Sequence, residues 1–91
     1  VSPEIDTLDQ LQGGNMPLSV VRLVYRDDHR FASSIHAMLT SGDVALRDEH
    51  GETIPSWRWR ELFIDGAWVS DQSRLLLELT DQGSKRTGGT P

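Results

Sequence analysis

Between Ile54 and Phe63 the chain reads Ile-Pro-Ser-Trp-Arg-Trp-Arg-Glu-Leu-Phe, which sets two of its three tryptophans beside two of its nine basic residues. A guanidinium offers a fork of donors that matches a phosphate or a base edge. An indole offers a flat face to a cation, a base or another protein. Three uses follow: nucleic-acid contact by Arg58 and Arg60, a protein interface centred on Trp57, or one tryptophan in the core with the arginines paired to nearby acids. Arg47 and Arg74 would extend a basic surface as flanking arms, while Trp68, between Ala67 and Val69, reads as core.

Covalent and metal chemistry find little support. The chain has no cysteine, so it has no disulfide framework, thiolate site or cysteine nucleophile. His29, His36 and His50 are seven and fourteen residues apart, which does not give the i, i+4 pairing of a helical zinc site. Asp27-Asp28-His29 and Asp48-Glu49-His50 place acids beside histidines, but at cap and turn positions, where such clusters are solvated. There is no Gly-x-Ser-x-Gly elbow, phosphate-cradling Gly-x-x-x-x-Gly-Lys or calcium loop. The expectation is a noncatalytic protein with no cofactor and no metal.

Ninety-one residues at 36% hydrophobic and 25% charged content suit one small globular domain. The net charge is -5, of which Glu4, Asp6 and Asp9 supply three in a lead without Lys or Arg. That balance argues against strong nonspecific nucleic-acid binding, yet leaves room for a local basic face. Eight of the nine basic residues are arginines, the side chain better suited to bidentate contacts. Apolar runs of three or four residues fall far short of the roughly 20 that span a bilayer, so no membrane partner is expected. The acidic start and the absence of cysteine suit a cytoplasmic protein.

These residues must be positioned by a handful of elements. Residues 1–15 read as an acidic N-terminal lead broken by Gly13-Gly14, residues 16–83 as the single folded domain, and residues 84–91 as a flexible tail. A domain of this size needs an efficient core or a partner chain, so a homodimer is compatible with it. Leu18–Tyr25 leans towards strand on its β-branched content. His29–Leu39 carries Phe31, Ile35, Met38 and Leu39 at helical spacing, with Asp27-Asp28 to cap it and Gly42 to end it. Residues 43–51 form either a short helix or a strand, Val44 to Arg47, that turns at Glu49-His50-Gly51. Pro55 suits the first turn of a helix closed by Gly66, with Trp59, Leu62 and Phe63 on its inner face. Ala67–Val69 and Arg74–Thr80 read as a β-hairpin, the alternative being one helix from Asp71 to Gln82. Phe31, Ile35, Leu39, Leu62, Phe63, Trp68, Leu75 and Leu77 are the expected core.

The order helix, short helix, arginine-bearing helix and then a hairpin ending Leu79-Thr80-Asp81-Gln82-Gly83 resembles a winged helix-turn-helix. The resemblance covers about residues 30–83. It implies an α+β, winged-helix-like domain, helices followed by a β-hairpin, with Pro55–Ile64 as recognition helix and Ser70–Ser73 as wing tip. It also implies double-stranded DNA as partner, transcription regulation as role, and Arg47, Arg58, Arg60 and Arg74 as the DNA-contacting set. The alternative is an acidic protein-binding adaptor or inhibitor that uses Trp57. Asp43, Asp48 and Glu49 in the second element, and Asp71 in the wing, depart from a basic DNA-facing surface. The two readings separate on whether the arginines share a face free of carboxylates.

Overall fold

The spacing of Phe31, Ile35, Met38 and Leu39 builds the longest element, and the other elements pack around it. The computed structural model describes residues 3–86. In chain order these form α1 (Pro3–Leu11), β1 (Met16–Pro17), α2 (Leu18–Val21) and a 3-10 turn (Arg22–Val24). Then come α3 (Asp28–Ser41), β2 (Val44–Arg47), a second 3-10 turn (Ser56–Arg58) and α4 (Trp59–Phe63). The last elements are α5 (Trp68–Asp71), β3 (Leu76–Leu79) and α6 (Asp81–Arg86). The class is α+β, with six helices among the described residues and an antiparallel three-stranded sheet in the order β1-β3-β2.

Helix α3 begins where Asp27 accepts a hydrogen bond from the Arg30 N–H at 2.7 Å. It ends at Gly42, whose φ of 88° lets its N–H turn back to the carbonyls of Met38 and Leu39. Phe31, Ala32, Ile35, Met38 and Leu39 are buried along one face. That face packs on α4 and β2. All eight expected core residues are buried, and Phe31, Ile35, Leu62 and Leu77 are fully enclosed.

The sheet registers Leu46 and Met16 against Leu77, and Val44 against Leu79. Side chains alternate along a strand, so Val44, Leu46 and Leu77 point into the core while Arg47 and Glu78 lie on the other face. After β2 the chain turns back, with an antiparallel bridge between Arg47 and Thr53 and an Ile54 N–H to Leu46 carbonyl bond of 2.8 Å. Residues 43–51 therefore take the strand-and-turn form of their two readings.

Asp48 holds that turn. Its Oδ1 accepts from the backbone N–H of Glu52 at 3.0 Å and of His50 at 2.8 Å, and these bonds, Glu52 first, hold its carboxyl below its ordinary pKa. A depressed carboxylate contributes fully above its unfolded pKa and loses that contribution as pH falls through its folded value. The amides of His50 and Glu52 should accordingly shift in an NMR titration at a pH below that of exposed aspartates, and Asp48→Asn should remove the transition. Amides that stay still across the acid range would mean that the turn does not depend on this carboxylate.

The described segments depart from the sequence-based expectation at several places. Within the acidic lead, residues 3–11 form a helix that joins the core, with Thr7, Leu8 and Leu11 buried. Thr7 Oγ1 is hydrogen-bonded to the Tyr25 hydroxyl at 3.1 Å, and burial pushes that phenol's pKa up. Leu18–Val24 is helical rather than a strand, because Leu18, Val21 and Tyr25 reach the core at helical spacing while Val20 and Leu23 face water.

The hairpin from Ala67 to Thr80 is absent. Ala67–Val69 runs into α5, which buries Trp68 against Phe31 at a ring-centroid distance of 4.7 Å. Leu77 of β3 and Leu75 just before it still point inward, but β1 and β2 lie on the two sides of β3. The arginine-bearing helix is also shorter than Pro55–Ile64. Pro55 is extended at ψ 149°, a 3-10 turn follows, and α4 is five residues long.

At the C-terminal end, Ser84 belongs to α6 and its N–H bonds to the Thr80 carbonyl at 2.9 Å. The rest of the expected tail, 87–91, lies outside the described residues. Among the described residues, no helix is long and apolar enough to cross a membrane.

Candidate interaction surface

The segment 56–64 is amphipathic, and both of its faces carry apolar side chains. Its inner face sends Leu62 and Phe63 into the core beneath α3, with Trp59 half-buried beside them. The Trp59 Nε1–H is buried with no hydrogen-bond partner among the described residues. The outer face presents Trp57, Arg60, Glu61 and Ile64, all exposed. They are spaced i, i+3, i+4 and i+7 along the 3-10 turn, α4 and its C-cap residue Ile64, the spacing that shares one side of a helical segment. Trp57 is 75% exposed and Ile64 is 56% exposed.

The four arginines picked out by sequence have separate fates. Arg47 is a structural residue: its Nε bonds Glu78 Oε2 at 2.6 Å, and its Nη1 bonds the Gly51 carbonyl and Thr53 Oγ1, each at 3.1 Å. It thereby ties the return loop to the outer face of the sheet. Arg58 lies 3.9 Å from Glu61, a loose i, i+3 pair. Arg60 and Arg74 are exposed and make no ion pair among the described residues. Arg74 sits in the turn before β3, where its N–H bonds the Asp71 carbonyl at 2.9 Å. Arg47 faces Leu76 across the strands, at the same end of the sheet as Arg74. The set is thus divided between the sheet end and segment 56–64, and carboxylates take up Arg47 and Arg58.

Two exposed residues escaped the sequence reading. Ile64 and Val69, 56% and 53% exposed, flank a surface hollow of ≈ 290 Å³ whose floor includes Ala32, Phe63 and Trp68. Asp28 and His29 of α3 rim its other side. Gly66, at φ 89°, makes the tight turn between α4 and α5 that brings Ile64 and Val69 to one opening. A signal was present, since Ile64 lies seven residues after Trp57. The hollow itself depends on α3 and could not be read locally.

The two acid–histidine pairs lie apart, Asp28 and His29 at the rim of the hollow and Glu49 and His50 on the turn after β2. His50 lies 3.9 Å from Glu49 on an exposed turn, and no group of three metal-ligating side chains gathers among the described residues. Comparison of the chain with protein-family models, curated proteins and solved structures gives no match. The functional reading therefore rests on the residues themselves.

Proposed function

We propose that this chain is a noncatalytic protein-binding module whose interface centres on Trp57 and Ile64. The observation that carries this reading is Trp57, 75% exposed on a helical face whose opposite side already fills the core. An exposed indole contributes little to folding, whereas buried in a partner's pocket it is among the strongest anchors of an interface. The neighbouring Ile64 and Val69 enlarge the apolar patch, and Arg60 supplies a charge at its centre. The net charge of -5 favours a protein partner over a polyanion.

A photo-crosslinking residue at position 57 tests this, with the 80% exposed Leu23 as control site. Position 57 should give discrete protein adducts at several times the yield of position 23. Equal yields at the two sites would refute the reading.

A second reading, a DNA-binding regulator of winged-helix type, is favoured by Arg60 and Arg74, which have no carboxylate partner among the described residues. It must do without the wing hairpin, because Ala67–Val69 leads into α5. Duplex affinity that falls with salt, with a slope reduced by about 2 on replacing both arginines with Ala, would support it. In that case crosslinks from position 57 would go to nucleic acid.

A further inference from the structure

The exposed stripe on segment 56–64 is its own complement. Read along the helix it runs Trp57, Arg60-Glu61, Ile64, so its midpoint falls between a cation and an anion and an apolar residue lies at each end. Two copies placed antiparallel about a twofold axis at that midpoint would set Arg60 against the second copy's Glu61, and Glu61 against its Arg60. Trp57 of each copy would lie over Ile64 of the other. A twofold interface needs this property, because every contact must be made by one patch with itself.

On this basis, and resting on the protein-binding reading above, we propose that the partner is a second copy of this chain, docked through an antiparallel pairing of segments 56–64. The geometry also provides a socket. Ile64 borders the ≈ 290 Å³ hollow over Ala32, Phe63 and Trp68, so an indole arriving above Ile64 meets an apolar opening beside it. Each copy supplies one projecting tryptophan and one hollow, the anchor-and-pocket arrangement in which interface energy concentrates. Glu61 remains able to take a second cation, since its contact with Arg58 is 3.9 Å and uses only Oε2. Parallel pairing would set Arg60 against Arg60 and Glu61 against Glu61, so the same charges that favour one orientation oppose the other.

Sedimentation equilibrium of the full chain tests this, over roughly 1 μM to 1 mM, where small interfaces associate. The native mass should rise from the 10.2 kDa of one chain towards twice that value. Arg60→Glu and Glu61→Arg should each weaken association roughly tenfold or more by setting like charges together. Mixing these two variants should restore it, because each then offers what the other lacks. The double variant, with the charges exchanged, should also dimerise. Trp57→Ala should weaken association about thirtyfold or more. These substitutions are at exposed positions, and unchanged circular dichroism will confirm that each variant folds.

A native chain that stays monomeric to 1 mM overturns the proposal. So do single reversals that are not rescued by mixing, or a dimer indifferent to Trp57→Ala. The broader reading fails separately: a monomer that still crosslinks from position 57 to another protein loses only the self-association. A chain that gives no protein adduct there loses both.

Discussion

Phe31→Ala is expected to remove about 3–5 kcal/mol of folding stability, enough to leave much of the protein unfolded at 25 °C. Phe31 is completely enclosed and is the ring on which three segments meet. It stands edge-on to Tyr25 at 5.4 Å, which fastens the chain leading into α3, and it lies 4.7 Å from Trp68 of α5. Truncation opens a cavity and also removes two aromatic contacts, each of which adds to simple area burial. Small domains bury a smaller share of their surface and begin near the low end of the 5–15 kcal/mol range, so this loss is a large part of the total. Phe31→Leu, which keeps most of the volume, should cost only about 1–1.5 kcal/mol. Urea denaturation followed by tryptophan fluorescence measures both, and Trp68 reports directly on the affected packing. A Phe31→Ala loss under about 1 kcal/mol would mean that the ring is not the joint between these segments.

Gly83→Ala should be the most damaging glycine-to-alanine change among the described residues. A Cβ at position 83 would lie 2.0 Å from the Asp43 carbonyl oxygen and 2.9 Å from its carbon. Both are backbone atoms at the start of β2, so no rotamer change relieves the overlap and α6 has to lift. The bonds that seat this helix would go with it. They are Gln82 Nε2 to the Ser41 carbonyl at 2.6 Å, Thr80 Oγ1 to the Gly42 carbonyl at 2.6 Å and the Thr80 N–H to the Asp43 carbonyl at 3.1 Å. Overpacking of this kind typically costs about 1–3 kcal/mol. The damage should stay local, since α6 is peripheral to the sheet: amide exchange should speed up in Gly83–Arg86 and at Thr80, while α3 amides keep their relative protection. Gln82→Ala, which loses the side-chain bonds without the clash, should give a smaller effect in the same amides. Unchanged exchange at Ser84 in Gly83→Ala would show that the helix does not seat against Asp43.

Much of this protein was legible one segment at a time. The spacing from Phe31 to Leu39, the Asp27 cap and Gly42 determined α3 because all three signals are local and agree. The alternation of Leu75 and Leu77 determined which face of β3 turns inward, and the eight expected core residues follow from such periodicities. Along segment 56–64 the helical spacing of Trp59, Leu62 and Phe63 gave the inner face, and the exposure of Trp57 and Arg60 came from the fold.

What the sequence left open was settled by partners distant in the chain. Leu18–Val24 and Ala67–Val69 differ by only tenths of a kcal/mol per residue between helix and strand, so burial decides between them. Leu18 and Val21 gain core contacts as a helix, and Trp68 gains Phe31. Strand β3 lies between β1 and β2, so a hairpin mate from Ala67–Val69 would have to displace one of them. The register of β2 on β3 brings Glu78 to Arg47 and gives that arginine an ion pair on the outer face of the sheet. The hollow beside Ile64 exists only because the Gly66 turn carries α5 back beneath α3. Sequence alone thus determined the inner face of α3 and most of the expected core. Tertiary structure decided which arginines are already paired and which apolar residues share an opening, because those depend on distances between segments that no local period encodes.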